Sequence, residues 1–167
     1  MNHEHTQKKE SYWPLVVIIS LILVVTLILA LKAWNIGTFH WTLPMQYFMA
    51  GFFLVFSGFK FLDLPGFVQG YSQYDLLARR VRNYGYVYPF LELGIGLLYL
   101  VGYSSPLFYG FTFLLMIFSG IGVALKIAKR EKFTCACLGT LLNVPLTKIT
   151  LIEDFGMAAM ALVMIVM

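Results

Sequence analysis

Charged residues are scarce in this chain of 167 residues: Asp, Glu, Lys and Arg make up 12% of it, whereas hydrophobic residues make up 60%. Soluble globular proteins carry about 25% charged residues, so the composition does not predict a soluble domain. Disorder requires low hydrophobicity and high net charge, and the composition excludes it as well. Because about 20 apolar residues cover a bilayer, the length leaves room for four or five membrane-spanning helices.

Cysteine is also scarce, since the chain has only Cys135 and Cys137. Two thiols do not make the disulfide framework of a small secreted protein. The sequence lacks a Walker loop, an HExxH motif and a Ser/His/Asp set on one side, so neither an ATP-driven pump nor a hydrolase is expected. Basic residues outnumber acidic ones by 12 to 8. No basic, aromatic groove lies outside the apolar runs, so we expect no nucleic-acid partner.

Five apolar runs predict an all-α protein, an integral membrane helical bundle with five transmembrane helices. The runs cover residues 14–31, 44–62, 84–102, 107–127 and 149–167. The first is longer than the core of a signal peptide, about 7–15 residues, and no good cleavage site follows it, so we expect a retained helix. Glycines within or at the ends of these runs are expected to let neighbouring helices approach closely.

The connection over residues 63–83 has apolar side chains at helical spacing. They are Phe67, Tyr71, Tyr74, Ala78 and Val81. The other side of this segment holds amide and guanidinium groups, those of Gln69, Gln73, Arg79, Arg80 and Arg82. This pattern predicts an amphipathic helix that lies on the membrane surface.

The basic residues predict an orientation. With five spans, 10 of the 12 fall on one side of the membrane: Lys8, Lys9, Arg79, Arg80, Arg82, Lys126, Lys129, Arg130, Lys132 and Lys148. Loops rich in Lys and Arg stay in the cytoplasm. We therefore expect a bacterial inner-membrane protein whose amino terminus and 128–148 loop are cytoplasmic.

Cys135 and Cys137 stand one residue apart in a loop that also contains Gly139. Two such thiols can form a strained, easily reduced disulfide, which suits thiol–disulfide exchange. They can equally offer two soft ligands to Cu(I), Zn or Hg. The basic residues just before them favour the thiolate in either use. The motif alone leaves both uses open.

Four charged residues lie within or at the ends of apolar runs: Lys60, Glu92, Glu153 and Asp154. Such residues are costly in a membrane and are usually paired or functional. Lys60 and Glu92 fall near the same face and predict an ion pair, which either fixes helix packing or belongs to a polar pocket below the thiols. That pocket would also include Glu153 and Asp154. For Glu153 the alternative is a capping box with Thr150 at the start of the last helix.

Three stretches carry a resemblance to a known family: Gly51–Asp63 (GFFLVFSGFKFLD), Pro89–Gly96 (PFLELGIG) and Cys135–Gly139 (CACLG). In their order and spacing they resemble the methylamine utilisation MauE family, within the wider DoxX-like group of small redox-associated membrane proteins. The resemblance covers residues 44–167 and implies a four-helix membrane domain there. Residues 1–43, with the first span and a His-containing tail, look additional.

The resemblance implies a role in maturation of methylamine dehydrogenase, by forming or shuffling disulfides in its small subunit. Our leading hypothesis is thiol–disulfide exchange with a protein partner, with Cys135 and Cys137 catalytic and a quinone-like electron acceptor in the bilayer. The sequence assigns no definite cofactor. A Cu- or Hg-binding transport protein, with the two thiolates as ligands, is the second hypothesis, and a structural membrane subunit is the third. The implied partner is periplasmic, whereas the charge pattern puts the cysteines in the cytoplasm.

Overall fold

The computed structural model describes residues 13–73, 75, 77–78, 80–129 and 148–167, and over these residues it is all-helical. The helices are α1 (Trp13–Ile36), α2 (Thr42–Leu62), α3 (Leu64–Tyr71), α4 (Arg82–Leu100), α5 (Pro106–Ala128) and α6 (Lys148–Val166). Helices α1, α2 and α5 are long and apolar enough to cross a membrane. These three correspond to predicted spans, and five spans in total stays a prediction.

The helices pack as two close pairs, α2 with α4 and α5 with α6, and α1 lies against α2. Glycines allow the close contacts, as predicted. A Cβ added at Gly51 would lie 2.9 Å from the side chain of Ile22 on α1, and one added at Gly96 would lie 3.1 Å from the backbone nitrogen of Leu54 on α2. Small residues at such crossings let membrane helices gain dispersion contacts.

The prediction of one amphipathic helix through residue 81 was wrong, because α3 ends at Tyr71. Phe67, Tyr71 and Ala78 are buried, as the pattern suggested, but Val81 is 50% exposed. The chain turns at Asp75, whose Oδ1 accepts hydrogen bonds from the backbone N–H groups of residues 77 and 78. An aspartate that bonds nearby backbone N–H groups competes with the helix, and here the turn replaces it. Short α3 therefore packs on α4 and α2.

The start of α6 also differs from the prediction. The helix includes Lys148, so Thr150 lies inside it and cannot be the N-cap of the proposed capping box. No acidic residue falls in the first turn. Glu153 and Asp154 lie in the second turn, past the amide groups that a cap would bond. Their position calls for another explanation, which the interior of the bundle supplies.

Candidate functional site

A buried ion pair joins α2 to α4. The ammonium group of Lys60 donates hydrogen bonds to both carboxylate oxygens of Glu92. Only 5% of Lys60 and 4% of Glu92 is exposed, so both charged groups lie inside the bundle. This confirms the ion pair predicted from their positions. Since removal of either partner would leave an uncompensated buried charge, the pair ties the two helices together.

Aromatic rings enclose the ion pair. The Lys60 ammonium lies 5.0 Å from the ring centre of Tyr88 and 5.3 Å from that of Phe67. The Tyr88 ring in turn lies 4.7 Å, centre to centre, from the ring of Tyr71. Ring faces attract a cation most strongly where water is excluded. The rings of Phe67 and Tyr88 therefore stabilise the ammonium in its buried position.

The ion pair opens onto a small cavity that brings all four predicted intramembrane charges together. Lys60, Glu92, Glu153 and Asp154 line it, together with Ser119 of α5. The space that the centre of a water molecule can occupy in this cavity is about 20 Å³. A single water needs about 10–15 Å³ by this measure, so one fits. One basic and three acidic side chains thus line a single space that is large enough for one water.

Asp154 is positioned by α5. The Ser119 Oγ atom lies 3.4 Å from Asp154 Oδ2 and donates a hydrogen bond to it. Close by, a Cβ added at Gly120 would lie 3.3 Å from Asp154 Cβ, so the two helices approach closely here. Asp154 consequently faces the bundle interior. The explanation for its place in the second turn of α6 is the cavity, not the helix terminus.

Sequence reasoning missed several residues of this site. Tyr88 and Ser119 line the cavity but were not predicted, because only charged residues within the apolar runs were considered. Asp75 was missed too, yet it is fully buried and accepts a 2.8 Å hydrogen bond from the Tyr71 hydroxyl. The helical spacing of Thr112, Met116 and Ser119 could have indicated Ser119, because all three lie on the buried face of α5.

Cys135 and Cys137, the predicted catalytic pair and alternative metal ligands, lie outside the described residues, as do His3 and His5. Within the part of the chain that the structure describes, no group of three or more His, Cys, Asp or Glu residues is placed to hold a metal ion.

The position of the cysteines in the sequence relates them to the cavity. They lie in sequence between the end of α5 at Ala128 and the start of α6 at Lys148. Ser119 lies nine residues before the end of α5, and Asp154 lies six residues after the start of α6, so the cavity is in the half of each helix that is nearer in sequence to the cysteines.

The described helices define a class: a helical integral membrane protein with a charged, water-sized cavity enclosed by its bundle. The sequence matches the family model "Methylamine utilisation protein MauE" over residues 36–167, about four fifths of the chain. The chain therefore belongs to the MauE family. The match begins at the last residue of α1, so the rest of that helix lies outside it. Neither a curated protein nor a solved structure matches the chain.

Proposed function

We propose that this MauE-family protein carries out thiol–disulfide exchange in the maturation of a partner protein for methylamine utilisation. One observation carries the proposal: Lys60, Glu92, Glu153 and Asp154 line one cavity, and the last two lie in the second turn of α6, the helix that follows the cysteine-containing connection. Conversion of a dithiol to a disulfide releases two protons and two electrons. A titratable cavity beside the start of α6 suits the proton part of this chemistry.

Cys135 and Cys137 are the proposed reacting groups. In the exchange, a thiolate of the reduced pair attacks a partner disulfide, a mixed disulfide forms, and the second thiol releases the reduced partner. Run in the opposite direction, the oxidised pair gives its disulfide to the partner. The partner class that the family implies is the small subunit of methylamine dehydrogenase.

The experiment replaces both cysteines with serine in the strain that carries the chain. We expect the C135S/C137S protein to accumulate in the membrane at the normal level while methylamine-dependent growth and correct disulfide pairing in the partner are lost. The matched control is Ser105→Ala, in the turn between α4 and α5, with both cysteines left in place. This variant should support normal growth. If the C135S/C137S protein supports growth and partner disulfides normally, the exchange proposal is wrong.

The side of the membrane needs its own test, because the charge pattern and the family role disagree. The proposed orientation places the cysteines in the cytoplasm. An impermeant thiol reagent should then label them in inverted vesicles and leave them unlabelled in intact cells whose outer membrane has been made permeable. Labelling in the intact cells would reverse the orientation and place the thiols on the side of a periplasmic partner.

Elemental analysis separates exchange from the alternative of Cu(I) or Hg(II) binding. The exchange proposal predicts no stoichiometric metal in purified protein and a mass change of two hydrogens on oxidation. Stoichiometric metal that disappears in C135S/C137S would support the transport alternative instead.

A further inference from the structure

A long apolar groove runs between α1, α2 and α6. A cavity of about 430 Å³ is walled by all three helices. A second cavity of about 400 Å³ continues along α1 as far as Trp34. The two share Leu23, Thr26 and Pro44, so they form one continuous groove. Its length, from the second turn of α6 to the last turns of α1, suits a linear chain better than a compact ligand.

The polar groups of the groove lie at defined places. Among the side chains that line its larger part, only Thr26 and Glu153 are polar. Glu153 and Phe52 also line the small charged cavity. Glu153 and Phe52 thus lie between the groove and the cavity that contains the Lys60–Glu92 pair.

The charges beside the groove restrict what can reach Glu153. Glu92 and Asp154 line the small cavity that Glu153 also lines, so three acidic side chains lie at this end of the groove. A phospholipid headgroup carries a phosphate, and to place that charge among acidic and apolar side chains is costly. An uncharged ring with carbonyl oxygens avoids this cost and can accept a hydrogen bond from a carboxyl group.

We propose that the groove binds a membrane quinone, with its ring beside Glu153 and its isoprenoid tail along α1. The proposal rests on the proposed dithiol function and supplies its electron acceptor. The redox step balances: two S–H bonds break, one S–S bond forms, and the quinone takes up the two electrons and two protons to become a quinol. The charged cavity adjoining Glu153 provides a route for these protons.

Gly156 offers a specific way to block the groove. It lines the larger cavity, and a Cβ added there meets no atom within 4 Å, so a larger side chain enters the groove without a backbone clash. Gly110 on α5 is the matched control, because it also has open space at its Cβ and lies away from the groove. Leu23→Phe is a second groove-filling variant, at a position that is 52% exposed.

The test measures binding of ubiquinone-2 to protein in phosphatidylcholine nanodiscs, with an azido-ubiquinone photoprobe to map the site. We expect saturable binding, crosslinks in α1 and α6, at least a tenfold weaker affinity in Gly156→Leu and in Leu23→Phe, and less than a twofold change in Gly110→Leu. Non-saturable binding, equal binding by the groove-filling variants and the control, or equal competition by phosphatidylglycerol would overturn the proposal.

The same measurement in C135S/C137S keeps this proposal separate from the proposed function, because quinone binding needs no thiol. We expect this variant to bind ubiquinone-2 with the affinity of the unchanged protein. Absence of binding in both proteins overturns the quinone site and leaves dithiol exchange standing. Normal partner maturation by C135S/C137S would overturn dithiol exchange, whatever the groove binds.

Discussion

Removal of the Lys60 ammonium should destabilise the protein strongly, because it leaves the buried Glu92 carboxylate without its partner. In Lys60→Met, the methionine fills much of the same space, but Glu92 loses the group that donates to both of its oxygens. Removal of one partner from a buried ion pair costs about 3–5 kcal/mol. For a domain of this size, 1 kcal/mol corresponds to about 2–4 °C in the melting temperature. We therefore expect Lys60→Met to melt on the order of 10 °C lower.

The double variant Lys60→Met/Glu92→Leu distinguishes a missing ion pair from a poorly packed core. Once both charges are gone, neither member of the pair stays buried without its partner, and such replacements are often neutral or stabilising by about 1–4 kcal/mol. The double variant should therefore recover most of the stability that the single variant loses. Lys32→Met on α1 is the control, because Lys32 is exposed. Its melting temperature should stay within about 2 °C of that of the unchanged protein, a surface-type effect.

Thermal unfolding in detergent, followed by circular dichroism and by tryptophan fluorescence, measures all three variants. The reasoning is refuted if Lys60→Met melts within about 2 °C of the unchanged protein, or if the double variant is as unstable as the single one. The first result would mean that the Glu92 carboxyl needs no cation. The second would mean that packing, not charge, sets the loss.

Three further changes have expected outcomes. Gly96→Ala should destabilise the contact between α2 and α4 by about 1–3 kcal/mol, because the added Cβ meets the backbone of Leu54. Gly94→Ala on the same helix has open space at its Cβ and should cost under about 1 kcal/mol. Thermal unfolding compares the two variants. Asp75→Ala removes the acceptor of one side-chain and two backbone hydrogen bonds. It should lower the free energy of unfolding by about 1–3 kcal/mol and speed proteolysis between α3 and α4. Tyr109→Phe removes the hydroxyl that accepts a 2.8 Å hydrogen bond from Gln46. A double-mutant cycle with Gln46→Leu should give a coupling free energy of about 0.6–1.7 kcal/mol.

The helices themselves could be predicted, because long apolar runs leave few alternatives. The same holds for the Lys60–Glu92 pair: two opposite charges at similar depth in an apolar medium have a strong reason to meet. The break after Tyr71 could not be predicted from periodicity, since it depends on a buried Asp75 that bonds to backbone amides. A pattern of apolar spacing continues across a turn as readily as across a helix, and only the side chain that replaces the helical hydrogen bonds distinguishes the two.

The cavity was only half predictable. Sequence position suggested that Glu153 and Asp154 belong with the other charges, but it equally allowed a capping box, and the outcome depended on where α6 begins. The contributions of Tyr88 and Ser119 depend on how α4 and α5 face each other across the bundle. Local spacing indicates which face of a helix is buried, as it does for Ser119, but it does not indicate which other helix that face meets.

The central claim is that Cys135 and Cys137 exchange disulfides with a partner, and trapping of the mixed disulfide tests it most directly. Single variants Cys135→Ser and Cys137→Ser lack one of the two thiols, so whichever retains the attacking thiol cannot release the partner. In membranes quenched with acid and alkylated, we predict that one of the two single variants accumulates a covalent complex that a reductant dissolves and that C135S/C137S lacks. Absence of any such complex in both single variants, with the partner present and its disulfides intact, would contradict the account.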